Sequence, residues 1–250
     1  MMEQKKLSVV MPAYNEEAVI YENLMKTNME IGEFCSSYEI ICVNDGSVDN
    51  TKNEIDRAVN ECQNIVSVTY NKNAGKGHAI KQGVQQASGE YIAFLDSDLD
   101  LAPDHLKDFM EQIQQQKADI VIGSKMHPDS KLEYPLVRKV LSGGYYCILL
   151  LLFRLKIHDT QTGVKLFDGK LLKQIVDKVE TEGYAYDIEI LAIANEMGAK
   201  IIERPITLHF TRNNGFGRIK VKDIIKMFDE TVHIKCKLIK MRKMKENLYT

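Results

Sequence analysis

The chain has 250 residues, 44% hydrophobic and 27% charged, with 15 Gly and 5 Pro. This is the composition of one large globular domain, and it excludes disordered, collagen-like and disulfide-scaffold classes. A formal net charge of -2 excludes a surface that coats nucleic acid, and 5 scattered cysteines without a CxxC pair fit a reducing compartment better than a zinc site.

Short β-branched runs alternate with longer helix-competent segments over the first half of the chain, the signature of α/β units on a mostly parallel sheet. The first apolar run, 7–11, is too short for the core of a signal peptide and reads as a strand. Further strands are expected at 39–43, 65–69, 91–95 and 120–122, with helices at 16–29, 50–61, 77–86 and 103–115. Beyond Gly123 come a Pro-containing loop at 127–135, an apolar helix at 136–155 and a polar turn at 158–163. A strand at 165–167, helices at 170–179 and 187–196 and a strand at 200–205 complete the expected core.

Val221, Ile224, Ile225, Phe228 and Val232 then keep the spacing of an amphipathic helix. The expected organisation is a catalytic domain over 1–230 and a basic helical tail over 231–250, which carries six Lys and Arg against one Glu. The longest apolar stretch, 145–153, falls far short of the ~20 residues that span a bilayer, so no transmembrane helix is expected. Its flanks, Arg138, Lys139, Arg154 and Lys156, suit an interfacial helix; the expected location is the cytoplasm, peripherally on the cytoplasmic face of a membrane.

The loops that leave the C-terminal strand ends are PAYNEE, NDGSVDNT, NKNAGKG and DSDLD, where open α/β sheets bind ligands. Asp96, Ser97, Asp98 and then Asp100 suit Mg²⁺ or Mn²⁺, hard ions that take one or two carboxylates and complete their shell with water and phosphate. The plainer reading is an acidic turn that caps the next helix. Asp45 lies at a strand end, where a carboxylate can meet a base or ribose; Asp49 or Asn50 caps a helix and Gly46 turns the chain.

AGKG is not a Walker loop, because Tyr70 stands where its first Gly belongs and Gly77 follows the lysine. Lys76 either approaches a nucleotide or is solvated at a helix start. Arg138 and Ser142, one helical turn apart, can grip a phosphate or form a solvated face. Arg212 and Arg218 flank a flexible stretch that closes over a diphosphate or forms a surface hairpin.

MPAYNEE, VNDGSVDNT, NAGKGHAI, FLDSDLD, IGSK, the Arg138/Ser142 pair, HDTQTGVKLF and YAYDIEIL follow one another from residue 7 to about 230. Together they resemble the inverting family 2 glycosyltransferases, and among them the polyprenyl-phosphate sugar synthases of the dolichyl-phosphate mannose synthase and dolichyl-phosphate glucosyltransferase type. The resemblance implies an α/β GT-A fold with a mostly parallel central sheet flanked by helices. It places Pro12, Tyr14, Glu16, Val43 and Asp45 around the nucleotide, and Asp96, Ser97 and Asp98 at the metal and donor diphosphate. Asp100 matches a third metal-side position that is often Gln in the family, and Lys125 stands where Arg is usual. Arg138 and Ser142 match the acceptor-phosphate positions, and Arg212 and Arg218 the closing loop. Asn44 replaces a common Asp, and no C-terminal membrane helix follows, which makes a membrane-anchoring subunit a candidate partner.

The implied reaction moves a hexose from GDP-mannose or UDP-glucose to a polyprenyl phosphate by a single displacement, with Mg²⁺ or Mn²⁺ as cofactor. A lipid phosphate with a second pKa near ~6 is largely dianionic at neutral pH and requires no base. A hydroxyl acceptor requires one, for which Asp159, Asp187 and Glu189 are the candidates. Asp187 joins Asp96 and Asp98 as a catalytic candidate, while Asp159, Thr160 and Gln161 orient sugar or acceptor. Two alternatives stand: a transferase of the same fold that acts on a hydroxyl of a surface polysaccharide, and a non-catalytic nucleotide-sugar-binding subunit, against which the intact DSD run argues.

Overall fold

The computed structural model describes residues 6–132, 149–150, 152–153, 155–183, 185–208 and 229–241. Arg138, Ser142, Arg212 and Arg218, and with them the expected phosphate grip and closing loop, lie outside the described residues. So does most of the apolar run expected at 145–153.

Seven strands form the main sheet: β1 (Leu7–Ala13), β2 (Tyr38–Asp45), β3 (Ile65–Tyr70), β4 (Tyr91–Phe94), β5 (Ile120–Ser124), β7 (Lys165–Asp168) and β8 (Ile201–Pro205). The short strands β6 (Lys131–Leu132) and β9 (Thr207–Leu208) pair separately. The order across the main sheet is β3-β2-β1-β4-β7-β5-β8. All neighbours are parallel except β7, which runs against both β4 and β5. The expected mostly parallel sheet is therefore present, with one reversed strand inside it.

The helices that cover it among the described residues include α1 (Ile20–Gly32), α2 (Thr51–Glu61), α3 (Lys76–Gln86), α4 (His105–Gln115), α5 (Gly169–Val176) and α6 (Tyr186–Glu196). Another, α7, spans 229–241. Both sheet faces are buried, as a sheet with crossover helices requires. Successive strand residues point to opposite faces. Val10, Ile41, Val43, Ile92 and Phe94 accordingly pack with α3, α5, α6 and α7, whereas Val9, Met11, Ile40 and Cys42 pack with α1, α2 and α4.

The structure shifts several expected boundaries. Helix α1 begins at Ile20 instead of 16, since Asn15 is left-handed (φ 54°) and the Glu16 carbonyl accepts the Val19 and Ile20 N–H groups in a turn. Helix α5 starts one residue early because the Asp168 carboxylate accepts the Leu171 N–H at 2.8 Å, an N-cap bond, and it ends at Val176. Helix α7 packs on the domain, with Ile234 and Leu238 buried in the core that α6 lines. Among the described residues no helix is long and apolar enough to cross a membrane.

Candidate active site

Strands β2 and β3 lie on one side of β1 and β4 on the other, so the chain reverses its direction of travel across the sheet between β1 and β4. Ligands of open α/β sheets bind in the crevice outside the strand ends at such a point. The loops after β1 and β2 form one laced rim there. The Asn15 N–H donates to Ser47 Oγ at 3.0 Å, and Asn15 Oδ1 accepts the Val48 N–H at 3.0 Å. The Glu16 N–H donates to Thr51 Oγ1 at 2.8 Å, and the Asn50 N–H donates to Glu17 Oε2 at 2.7 Å. Tyr14 stands exposed on this rim, Pro12 is half-buried, and Glu16 is buried beneath it.

Asp49 accepts the Thr51 N–H at 3.0 Å and the Glu17 N–H at 3.3 Å. Burial opposes ionisation of its carboxyl, yet the bonds from Thr51 and Glu17 hold it below the usual carboxylate range. Gly46 is left-handed (φ 63°), and a methyl there would overlap the backbone of Asn73. Asn44, in place of the family's common Asp, closes the same turn by accepting the Ser47 N–H at 3.1 Å.

Val43 and Asp45, both expected around the nucleotide, lie at the end of β2. The Val43 side chain is fully buried against α3, since on a strand it shares the inward face of Val10 and Ile41 across the sheet. Asp45, two residues on and therefore on that same face, points at the loop before α3. Its Oδ1 accepts Tyr70 OH and Ala74 N–H, each at 2.8 Å; its Oδ2 accepts Asn73 Nδ2 at 2.9 Å and Gly75 N–H at 3.0 Å. A carboxylate has about four lone-pair directions, and all are used here to fasten the turn that carries Lys76.

Lys76 extends from that turn to Asp96 at the end of β4, with Nζ 2.5 Å from Oδ1. Burial acts against the ammonium, but the Asp96, Tyr186 and Asp187 charges outweigh it and keep the Lys76 pKa well above the ordinary lysine value. The other face of Asp96 lies against Gly163, where an added methyl would overlap the carboxylate. Asp96 is thus gripped between the glycine turn of the first half and the TQTG turn of the second. Ser97 is buried, and its carbonyl accepts Asn23 Nδ2 of α1 at 2.7 Å.

Asp98 Oδ1 accepts the Asp100 N–H at 3.3 Å around a left-handed Leu99 (φ 52°). That residue breaks the extended alternation that would aim Asp96, Asp98 and Asp100 at one point. Among the described residues no three His, Cys, Asp or Glu side chains converge as a metal cluster. Burial first, and then the charges of Asp96 and Asp100, push the Asp98 carboxyl up to about 6. Two hard carboxylates whose mutual repulsion is already expressed in a raised pKa fit a divalent cation that completes its shell with phosphate oxygens and water.

A cation there must displace the Asp98 proton. Metal affinity is therefore expected to fall on acidification below about 6, by up to ~10-fold per pH unit. Mn²⁺ calorimetry between about pH 5 and about pH 7.5 checks this. In the metal-free protein the sign for stability is the opposite of an ordinary acid-labile carboxylate. Folded Asp98 binds its proton more tightly than the unfolded chain does, so this group adds stability as the pH falls through about 6 toward the unfolded value of about 4.

The second half of the site is a wall of ion pairs. Asp159 Oδ2 accepts the Lys125 N–H at 2.9 Å and lies 3.3 Å from Lys125 Nζ. Lys165, buried on β7, donates to Asp187 Oδ1 at 2.7 Å and to the Thr162 carbonyl at 2.5 Å. Burial raises the Asp187 carboxyl even against the nearby Lys165 and Lys76 charges. Asp187, expected as a catalytic carboxylate, is thereby committed to a buried ion pair. Gln161 is exposed on the turn next to Thr160 and Thr162, both buried. Glu189 is buried and bonded to backbone N–H groups and to Lys237. Lys165, Gly163, Asn73 and Tyr70 are structural partners that the motif reading did not single out.

Comparison with known proteins gives the site its context. The model of the family Glycosyl transferase family 2 matches residues 8–176. A dolichyl-phosphate beta-glucosyltransferase of Trichomonas vaginalis is 33% identical over 240 residues, which span 91% of this chain and 72% of that protein. The dolichyl-phosphate beta-glucosyltransferase of Saccharomyces cerevisiae is 30% identical over 250 residues, spanning 92% of this chain and 74% of its own. Among solved structures, glucosyl-3-phosphoglycerate synthase from Mycobacterium tuberculosis in complex with Mn²⁺, uridine diphosphate and glucosyl-3-phosphoglycerate superposes with a TM-score of 0.67 at 19% identity, covering 92% of this chain and 78% of that one.

Proposed function

This chain belongs to glycosyl transferase family 2, and from that premise we propose that it moves glucose from a nucleoside-diphosphate sugar to a polyprenyl phosphate, with inversion at the anomeric carbon. The fold is GT-A. The chain is a glycosyltransferase. Glucose is preferred to mannose because three relatives at 30% identity and above, each spanning more than 90% of the chain, are named dolichyl-phosphate beta-glucosyltransferases.

The observation that favours this acceptor is that each of the three carboxylates expected as a base, all among the described residues, is held in an ion pair. Asp159 is paired with Lys125, Asp187 with Lys165 and Glu189 with Lys237. A hydroxyl acceptor would lack a base among them, whereas a phosphate dianion brings its own nucleophilic oxygen. Asp96 and Asp98 would hold the cation, Mg²⁺ or Mn²⁺, which when bound neutralises the diphosphate as it leaves. Lys76, fixed beside Asp96, supplies a second positive charge to the same diphosphate without reorganisation. Asp45 serves by holding the turn that aims Lys76. Arg138 and Ser142 are proposed for the acceptor phosphate, Arg212 and Arg218 for the closing loop.

A lipid acceptor brings the enzyme to a bilayer, and the proposal includes peripheral attachment at the cytoplasmic face, with or without an anchoring subunit. Of the six basic residues past 230, Lys235 and Lys237 are turned inward to the Leu152 carbonyl and to Glu189. The attraction therefore falls to Lys240 and the residues after it.

An acceptor series tests the reading. A short polyprenyl phosphate is expected to be glucosylated, with a rate that follows the second ionisation of the phosphate near ~6, and the matching polyprenol is expected to be inert. Glucosylation of the alcohol at a comparable rate would instead establish a hydroxyl transferase.

A further inference from the structure

Among the described residues, the most buried carboxylate that the chemistry above leaves unused is Glu189 on α6, 1% exposed. Its Oε2 accepts two backbone N–H groups of the connection between α5 and α6, Glu180 at 3.1 Å and Thr181 at 2.8 Å. Its Oε1 meets Lys237 Nζ of α7 at 2.8 Å, and the same ammonium lies 3.0 Å from Glu180 Oε1 and bonds the Lys178 carbonyl. Burying an ion pair is a poor way to stabilise a fold, since apolar side chains of similar volume hold two helices at least as well; what such a pair fixes is register. The register fixed here is that of the segment 178–182 relative to α6 and α7.

That segment is in direct backbone contact with the turn that carries Lys76. The Gly77 N–H donates to the Glu182 carbonyl at 2.9 Å. A methyl on Gly75 would stand 2.6 Å from the Glu182 carbonyl oxygen, and one on Gly77 would stand 2.7 Å from that of Thr181. At Gly75 the approach is backbone against backbone, and at Gly77 the Cβ of Tyr186 on α6 adds to it, 2.8 Å from such a methyl, so a displacement of 181–182 is passed on to Gly75–Gly77 and to Lys76 between them. Asp45 fastens this turn from the β2 side, and the 181–182 carbonyls seat it from the other.

We propose that Glu189 is a positioning residue, which through the 180–182 segment seats the glycine turn of Lys76, and that Lys237 makes helix α7 part of that device. The Lys76–Asp96 pair then depends on a helix outside the strand-end crevice, and anything that lifts α7 slackens the cation beside the donor diphosphate. The consequence for the diphosphate rests on the donor site proposed above; the mechanical coupling does not.

Amide hydrogen exchange at Gly77 in the full chain, without ligand, reads the coupling alone. Lys237→Met is expected to speed exchange at Gly77 by at least about tenfold, and Lys237→Arg to leave it near wild type. Glu189→Leu/Lys237→Met removes the clamp without leaving a buried unpaired charge, so it serves if the single variant does not fold, and it should show the same loss of protection. Leu24→Ala on α1, on the other face of the sheet, controls for general loosening and should leave Gly77 protected at temperatures well below its melting. Wild-type exchange at Gly77 in the Lys237→Met protein, or in the double variant, would overturn the proposal. In a second arm, calorimetry with a nucleoside diphosphate and Mn²⁺ should show weaker binding in the loosened variants. Faster Gly77 exchange with unchanged nucleotide affinity would keep the coupling and contradict the donor role of Lys76.

Discussion

Asp96→Asn is expected to lower transfer by at least about 10³-fold while the protein stays folded. The carboxylate is the point where the two halves of the site meet, with the Lys76 ammonium 2.5 Å from one oxygen and Gly163 packed on the other. Its side chain is 36% exposed, so an isosteric amide opens no cavity and leaves the β4 end intact. What is lost is the negative charge that fits a divalent cation and that keeps Lys76 in place. Calorimetry should then show weak nucleoside-diphosphate binding that no longer responds to Mn²⁺, with an unchanged melting profile. Activity within about tenfold of wild type would remove Asp96 from the donor site.

Lys165→Met should have the largest effect on stability, a loss of about 3–5 kcal/mol, because it strands the buried Asp187 carboxylate without its cation. Burial already raises the Asp187 pKa against the pull of Lys165, so removal of that cation moves the group further toward its protonated form. Lys165→Met/Asp187→Leu, which removes both charges, is expected to recover most of the lost stability. If the double variant also retains substantial transfer, Asp187 is a structural anion; if it is stable and inert, Asp187 contributes to the chemistry from within its ion pair. Thermal unfolding and steady-state rates on the same samples separate the two outcomes.

The strands were legible because apolar runs bounded by Gly, Asn and Asp have one reading when crossover helices separate them. The loops that compose the site were legible for the same reason, as each follows directly on such a run. What the pattern could not show was tertiary commitment. Glu16 and Glu17 read as a helix start, but the bonds from their loop to Thr51, Asp49 and Asn50 hold the chain in a turn until Ile20. Asp45 read as a ligand for a base, and the donors that use it up stand 25 to 30 residues away at Tyr70, Asn73, Ala74 and Gly75.

Some of the missed partners did leave a local signal. Val43 and Asp45 are two apart on a strand and must share a face, so a buried Val43 already directs Asp45 toward α3. Lys165 and Phe167 share a face in the same way, and a lysine on the buried side of a strand calls for a carboxylate opposite, which Asp187 provides. The tail reads as a basic helix, and Ile234 and Leu238 at helical spacing mark the face of it that packs on the core. Lys237, the next cation along, then falls beside Glu189.

The central claim is transfer of glucose to a lipid phosphate, and the mass of the product tests it most directly. Purified full-length protein would be incubated with Mn²⁺, a short polyprenyl phosphate and either UDP-glucose or GDP-mannose. The account predicts one lipid product, heavier by a single hexose, labile to mild acid as a glycosyl phosphate, and formed from UDP-glucose. No hexosylated lipid formed from the polyprenyl phosphate, or transfer from GDP-mannose alone, would contradict it.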